Sequence, residues 1–188
     1  MALTIQIILI AFLTTLYFIL PAYFSNGGAL AFGGGTPVDF GKCDSKGTRW
    51  IGNGVTWRGV IAGTIIGVVT GAIQGFIAPM IIPLVADNLI TPIITDVSSG
   101  ILIGFLLGFG AMLGDALGSF IKRRLGIERG KPAPILDQLD FIIVAIILVS
   151  PFVKVTWIFV AIAIVLTLII HLMANTGAYL LGLKDVWY

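Results

Sequence analysis

The run GVIAGTIIGVVTGAIQGFIAPMIIPLVA, from Gly59 to Ala86, contains no Asp, Glu, Lys or Arg. As a helix it would rise roughly 40 Å, more than the ~30 Å hydrocarbon core of a bilayer. Glycine recurs at every fourth position, at Gly63, Gly67, Gly71 and Gly75. In lipid, van der Waals packing drives helix association, and this spacing lets two backbones approach closely. The next charge-free run repeats it at Gly100, Gly104 and Gly108, followed by Gly110 and Gly114. These stripes speak to compact helix packing and say little about chemistry.

Outward from this run, other charge-free stretches have span length. Ala2 to about Phe24 is one, within a charge-free N-terminal region that lasts until Asp39. Val97–Gly114 and Val155–Leu183 are two more. Phe141–Val153 is short and reaches span length only if Ile135, Leu136 and Leu139 join its helix. The Ser150-Pro151 step ends it, because a residue before proline is steered out of the α region, and Lys154 marks the turn. The expectation is an all-α, polytopic integral membrane protein with five transmembrane helices. It forms a single membrane domain over residues 1–188, with spans at about 2–24, 59–80, 98–121, 135–151 and 155–178 and loops at 25–58 and 122–134. Composition agrees: 58% of residues are hydrophobic, 11% charged, and mean hydropathy is +1.09. Soluble domains carry about 25% charged residues, so an ordinary soluble enzyme and a disordered chain are excluded. Cys43 and His171 are the single residues of their kinds, so neither an intrachain disulfide nor a Cys/His metal site can form. A net charge of +2 gives no reason to expect nucleic acid. The first apolar run has neither a basic start nor a small-residue cleavage site, so it reads as a retained helix.

Nine of the eleven basic residues fall in two loops. Lys42, Lys46, Arg49 and Arg58 lie between spans one and two. Lys122, Arg123, Arg124, Arg129 and Lys131 lie between spans three and four. The loop between spans two and three offers only Asp87 and Asp96. With five spans both basic loops share a side, which the positive-inside rule makes cytoplasmic. The N-terminus is then outside and the C-terminus cytoplasmic, and the protein is a multi-pass protein of the cell membrane.

Asp115 ends an uncharged membrane run, where a carboxylate needs a partner, a cation or a water-filled cavity. Ser119, Lys122 and Arg123 follow at i+4, i+7 and i+8 and share its helix face. An interfacial Asp with snorkelling cations is the plain alternative. Beyond Lys131, two prolines precede an apolar run and predict a helix from Pro134 or Ile135. Asp137 and Asp140 share a face of its first turn, where acidic residues also complement the helix dipole. Three carboxylates at one depth, beside Lys122, Arg123, Arg124, Arg129 and Lys131, are the residue set for Mg²⁺ and polyphosphate. Magnesium takes a few carboxylates together with water and phosphate oxygens, as one ion or as a pair clamping a displacement at phosphorus. The glycine-rich loop, with Gly33-Gly34-Gly35 and Asn53-Gly54, reads equally as a linker or a ligand loop, though its length favours a role. It is not a P-loop. His171 and Asn175 on the last span, with Tyr179 on the same stripe, and Asn26 at the end of the first, fit either helix–helix hydrogen bonding or site lining.

The segment Asp115-Ala116-Leu117-Gly118-Ser119-Phe120-Ile121-Lys122-Arg123-Arg124, followed by Asp137-Gln138-Leu139-Asp140, resembles the signature of CTP:phosphatidate cytidylyltransferases. The short chain and five-span layout are more similar to the archaeal branch of that family, the CDP-archaeol synthases. So are Pro21-Ala22-Tyr23 with Asn26, Pro37 with Asp39, Thr56-Trp57-Arg58-Gly59, and His171 through Gly182-Leu183-Lys184. Val55 stands where the family pattern has Lys, and Gln138 where it has Arg. The resemblance implies an enzyme that joins CTP to a lipid phosphate, 2,3-bis-O-geranylgeranyl-sn-glycerol 1-phosphate in the archaeal branch, releasing pyrophosphate. It implies Mg²⁺ on Asp115, Asp137 and Asp140, with or without a monovalent ion beside it. Lys122 and Arg123 meet phosphate charge, and Ser119, Asp39, Arg58 and Asn53 are further candidates for nucleotide contact. The partners are then CTP, an isoprenoid ether-lipid phosphate and the bilayer, with no nucleic acid. A small ion or solute transporter with an intramembrane carboxylate site is the alternative, although it predicts ionisable groups spread through the membrane depth. A CDP-alcohol phosphotransferase lacks its motif here, and a non-catalytic assembly factor leaves the three carboxylates unexplained.

Overall fold

A computed structural model of the chain describes residues 2–85, 92–128 and 130–182. Ala86, Asp87, Arg129, Leu183 and Lys184 lie outside the described residues. Among the described residues five helices follow one another: α1 (Ala2–Phe32), α2 (Trp57–Val85), α3 (Val97–Arg124), α4 (Leu136–Val149) and α5 (Trp157–Leu180). Two isolated bridges, Pro37 with Thr56 and Cys43 with Arg49, are the extent of β pairing among the described residues. Among the described residues four helices are long and apolar enough to cross a membrane: Thr4–Phe32, Trp57–Val85, Val97–Arg124 and Trp157–Gly177. The fourth helix of the expected five is present, but α4 has 14 residues. Its rise of roughly 21 Å falls short of a hydrocarbon core.

Neighbouring helices alternate in direction, and the glycines show how closely they meet. A Cβ on Gly67 would lie 2.7 Å from the Gly104 carbonyl oxygen and 2.8 Å from Gly108 Cα, while Gly75 faces the Asp96 and Val97 backbone. That pairing runs α2 antiparallel to α3. Gly110 against Ala145 and Gly114 against Phe141 run α3 antiparallel to α4. Phe18 meets Phe159 edge-on at 5.5 Å, and the Tyr23 hydroxyl donates to Thr167 Oγ1 at 2.8 Å, so α1 and α5 point the same way. One end of the bundle therefore gathers the ends of α1, α3 and α5 and the starts of α2 and α4.

The helix ends carry local signals. Asp96 caps α3 by accepting from Ser99 N at 3.0 Å, and Ser99 Oγ returns the bond from Asp96 N at 3.1 Å, a reciprocal capping arrangement. Lys122, Arg123 and Arg124 fill the last turn, where cations suit the helix dipole. α1 runs past the expected end of its span, through Asn26-Gly27-Gly28 to Phe32. Tertiary packing overrides weak propensity there: Ser25 is fully buried between α2 and α3, and Gly28 lies against Ile66.

A proline inside α1 is accommodated by a neighbour. Pro21 has no N–H, which frees the Tyr17 carbonyl one turn back. The Gln74 side-chain amide donates to that carbonyl, and the Tyr17 hydroxyl donates to the Gln74 carbonyl at 2.9 Å. Backbone groups in a bilayer must be satisfied within the protein, and this crosswise pair does so between α1 and α2.

Candidate active site

The expected acidic residues stand at the end of the bundle where α3 stops and α4 starts. Asp115 is half-buried and lines a pocket of about 130 Å³ with Asn26, Gly54, Thr56, Gly59 and Met112. Thr56 is the N-cap of α2: its Oγ1 accepts from Gly59 N and from Gly34 N, both at 3.2 Å. The pocket is thus closed by the start of α2 on one side and Asp115 on the other. Val55 forms part of its wall.

Two turns beyond Asp115, Lys122 Nζ lies 2.8 Å from Asp137 Oδ1. The other oxygen of Asp137 accepts Ala133 N at 2.9 Å and so holds the turn that leads into α4. That turn is tight. Leu136 N donates to the Pro134 carbonyl at 2.8 Å around Ile135, whose φ is 69°. A β-branched residue with positive φ is strained, and such strain persists where the surroundings over-determine it. The turn swings Asp137 back toward Lys122 and starts α4 with Asp140 against α3. Asp140 Oδ1 accepts Phe141 N at 2.7 Å, and its carboxylate lies on Gly118. Among the described residues, Asp140 is the one charged group lining an apolar groove of about 530 Å³ between α3 and α4, with Leu117, Ile121, Leu139 and Ile143. Asp115 lies within electrostatic range of Asp140, Lys122 and Asp137.

Among the described residues no three His, Cys, Asp or Glu side chains form a ready metal cage. Asp137 is drawn to Lys122, and Asp140 is laid along α3. The donor chemistry nevertheless suits a hard cation. Asp137 Oδ1 is buried and accepts no hydrogen bond, although Lys122 supplies charge at ion-pair distance. Magnesium needs only one or two carboxylates when water and phosphate complete its shell. The residues present fit such a nucleotide-completed site.

Several charged candidates are engaged elsewhere. Asp39 is buried and accepts five bonds: from Arg49 Nη2 at 2.6 Å and Nε at 3.3 Å, and from the N–H groups of Gly52, Ile51 and Gly41 at 2.8, 3.0 and 3.0 Å. Burial alone would raise its pKa, but Arg49 and these N–H donors hold the carboxyl well below the usual carboxylate range. Arg123 donates to the Ile51 carbonyl at 3.4 Å and to the Ile127 carbonyl. Arg124 pairs with Asp44, donates to the Arg49 carbonyl at 3.1 Å, and lies over Phe120 and Trp50 at 5.1 and 5.6 Å from the ring centroids. These groups fasten the loop between α1 and α2 onto the end of α3. Arg58 is exposed and borders a separate depression with Gly34, Gly35 and Trp57. Asn53 is exposed, next to the Gly54 that lines the Asp115 pocket, and Ser119 is half-buried one turn after Asp115. Thr56 and Gly118 were not singled out as site residues from sequence. A Thr three residues before Gly59, at the head of an apolar run, is a readable cap signal.

Asp39 gives a testable pH dependence. A depressed folded pKa contributes stability that is complete above the unfolded value of about 3.9 and is lost as pH falls through the folded value. Asp39→Asn should raise the rate of proteolytic cleavage within residues 40–52 at pH 7 on the order of tenfold, the worth of one charge-assisted hydrogen bond. The wild-type loop should resist an acid-active protease at pH 5 and yield as pH drops well below 4. A variant cleaved at the wild-type rate would remove Asp39 as the organiser of this loop.

The description "CarS-like: CDP-archaeol synthase" belongs to a family model that matches residues 5–188. The CDP-archaeol synthase of Methanothermobacter thermautotrophicus is 57% identical over 176 residues, covering 94% of each chain. That of Methanocaldococcus jannaschii is 48% identical over 174 residues, covering 93% of this chain and 96% of its own. A solved structure of an intramembrane enzyme for archaeal membrane lipid biosynthesis is similar at a TM-score of 0.71 and 33% identity, over 85% of this chain and 91% of that one. With carboxylates and a lysine at one end of an apolar bundle, these likenesses define a class: a multi-pass membrane enzyme that is a nucleotidyltransferase. Within that class, the chain belongs to the CarS-like family of CDP-archaeol synthases. Membership decides for CTP-dependent cytidylyl transfer in archaeal lipid synthesis and against the transporter reading.

Proposed function

We propose that this end of the bundle binds CTP with Mg²⁺ and transfers its cytidylyl group to a lipid phosphate carrying two geranylgeranyl ether chains. A phosphate oxygen of the lipid attacks the α-phosphorus of CTP. The bond from that phosphorus to the β-phosphate oxygen breaks, pyrophosphate leaves with the electron pair, and a CDP-lipid remains. The observation that carries the reading is the placement of two carboxylates on two different cavities. Asp115 borders the small pocket under the loop, and Asp140 borders the apolar groove between α3 and α4. A nucleotide entering under the loop and a lipid whose chains lie in the groove would bring their phosphates together between these residues.

Asp115, Asp137 and Asp140 are the residues that would hold the metal. When bound, Mg²⁺ supplies charge neutralisation at the phosphate oxygens. Lys122, paired with Asp137 at rest, is placed to meet the charge of the departing pyrophosphate. Catalysis of this kind is largely positioning and electrostatic stabilisation. Arg123 and Arg124 keep the loop seated, so they act on nucleotide binding through that loop. The basic loops beside this end favour the cytoplasmic side, where CTP is found.

The experiment uses purified full-length protein in detergent with [α-³²P]CTP, Mg²⁺ and either diether or diester lipid phosphate. Label should enter the organic phase with the diether acceptor, and chelation of the divalent ion should stop it. No transfer to either lipid phosphate would overturn the assignment, and transfer undiminished by chelation would remove the metal.

A further inference from the structure

Gly118 lies three residues beyond Asp115 on α3, and its surroundings differ from those of the other glycines facing α4. A Cβ on Gly110 would meet the Ala145 Cα at 2.6 Å, and one on Gly114 would meet the Phe141 Cα at 2.5 Å. Those are backbone contacts, which serve the approach of two helices. At Gly118 the three nearest atoms all belong to the Asp140 side chain: Oδ2, then Cγ at 2.8 Å and Cβ at 3.0 Å. The missing side chain makes a bed for a carboxylate. Phe141 N, bonded to Asp140 Oδ1 at 2.7 Å, anchors the other oxygen.

We infer that Gly118 is a positioning residue: its lack of a Cβ holds the Asp140 carboxylate against α3 beside Asp115. This rests on the preceding reading of Asp140 as part of the metal and nucleotide site. A methyl at position 118 meets only a side chain, and that side chain has other staggered χ1 positions about 120° away. That turn clears Oδ2 and Cγ; the Asp140 Cβ, at 3.0 Å, does not move with χ1, so the helices give there by a few tenths of an ångström. The carboxylate, however, leaves the surface it shares with Asp115.

The test compares Gly118→Ala, Gly110→Ala and Asp140→Asn in the full-length protein, with Mn²⁺ binding followed by electron paramagnetic resonance beside turnover. Gly118→Ala should weaken Mn²⁺ affinity on the order of tenfold, as loss of outer support for a metal ligand does. It should lower kcat by about 10- to 100-fold, with the KM for lipid and the melting temperature close to wild type. Gly110→Ala, whose Cβ would meet the Ala145 backbone and no site residue, should show the reverse, a lower melting temperature with Mn²⁺ affinity retained. In the Asp140→Asn background, adding Gly118→Ala should change Mn²⁺ affinity less than about twofold, because the two act through one group. Wild-type Mn²⁺ affinity in Gly118→Ala, full additivity with Asp140→Asn, or failure of Gly118→Ala to fold would each overturn the inference. Wild-type metal binding and turnover in Asp140→Asn would instead sink the site reading itself.

Discussion

Replacing Asp115 by Asn should leave the protein folded and lower CDP-lipid formation on the order of 10³-fold, the upper range for losing one preorganised electrostatic group. The substitution keeps the size of the side chain and removes its charge. Asp115 lines the pocket beneath the loop, within electrostatic range of Lys122 on its own helix and of Asp137 and Asp140 on α4. Two of those three are like charges, and in a semi-enclosed site like charges repel strongly. Removing one relieves that repulsion, so the melting temperature in detergent should be unchanged or higher by roughly a few degrees. Loss of activity with gain of stability is the mark of a functional group held at a cost. Asp137→Asn should behave differently, because Asp137 also holds Lys122 and the Ala133 turn. It should lose activity and stability together. The check is label transfer from CTP beside thermal unfolding of the same preparations. Transfer within tenfold of wild type in Asp115→Asn would place the chemistry elsewhere.

The parts legible in the sequence were those with short-range causes. Charge-free runs marked five helices, because an uncompensated charge in lipid is expensive. The four-residue glycine spacing announced close helix packing, and α2 and α3 meet along it. Asp115, Asp137 and Asp140 shared a level because the alternation of spans brings the end of one helix beside the start of the next. The illegible parts depend on partners far away in the chain. Arg124 looked like one of a cluster of cations for phosphate, yet its carboxylate partner, Asp44, is 80 residues distant. Asp39 looked like a ligand in a glycine-rich loop, but it accepts from N–H groups 12 and 13 residues further along that same loop. Asn26-Gly27-Gly28 read as a helix end because propensity is local, whereas the burial of Ser25 and Gly28 that carries the helix through them is supplied by α2 and α3. Gly118 carried no signal of its own in the sequence, because what sets it apart is a side chain from α4.

The same distinction gives the largest expected effect on folding. Gly71→Val should abolish the folded state. A Cβ at Gly71 would overlap the Gly100 carbonyl oxygen and lie 2.8 Å from Gly104 Cα and 3.0 Å from the Gly100 carbonyl carbon. Every one of these atoms is backbone, so no rotamer change makes room, and α2 must part from α3 along their whole contact. Overpacking a core costs about 1–3 kcal/mol when neighbours can yield; against rigid backbone the cost should exceed that range. In lipid the loss is not offset by a hydrophobic gain, because the acyl chains are as apolar as the helix they would replace. The unfolding midpoint in a titration of mixed micelles with sodium dodecyl sulfate measures it. Gly177→Ala is the control, since nothing lies within 4 Å of a Cβ there; helix propensity alone should make it neutral or stabilising by up to about 1 kcal/mol. A second-site search sharpens the prediction. Clashes with side chains are relieved by trimming the opposing residue, but the residues opposing Gly71 are themselves glycines, with nothing left to remove. Suppressors of Gly71→Val should therefore not arise at Gly100 or Gly104, and recovery of the wild-type midpoint by a substitution at either position would show that the helices are held apart by something other than backbone contact.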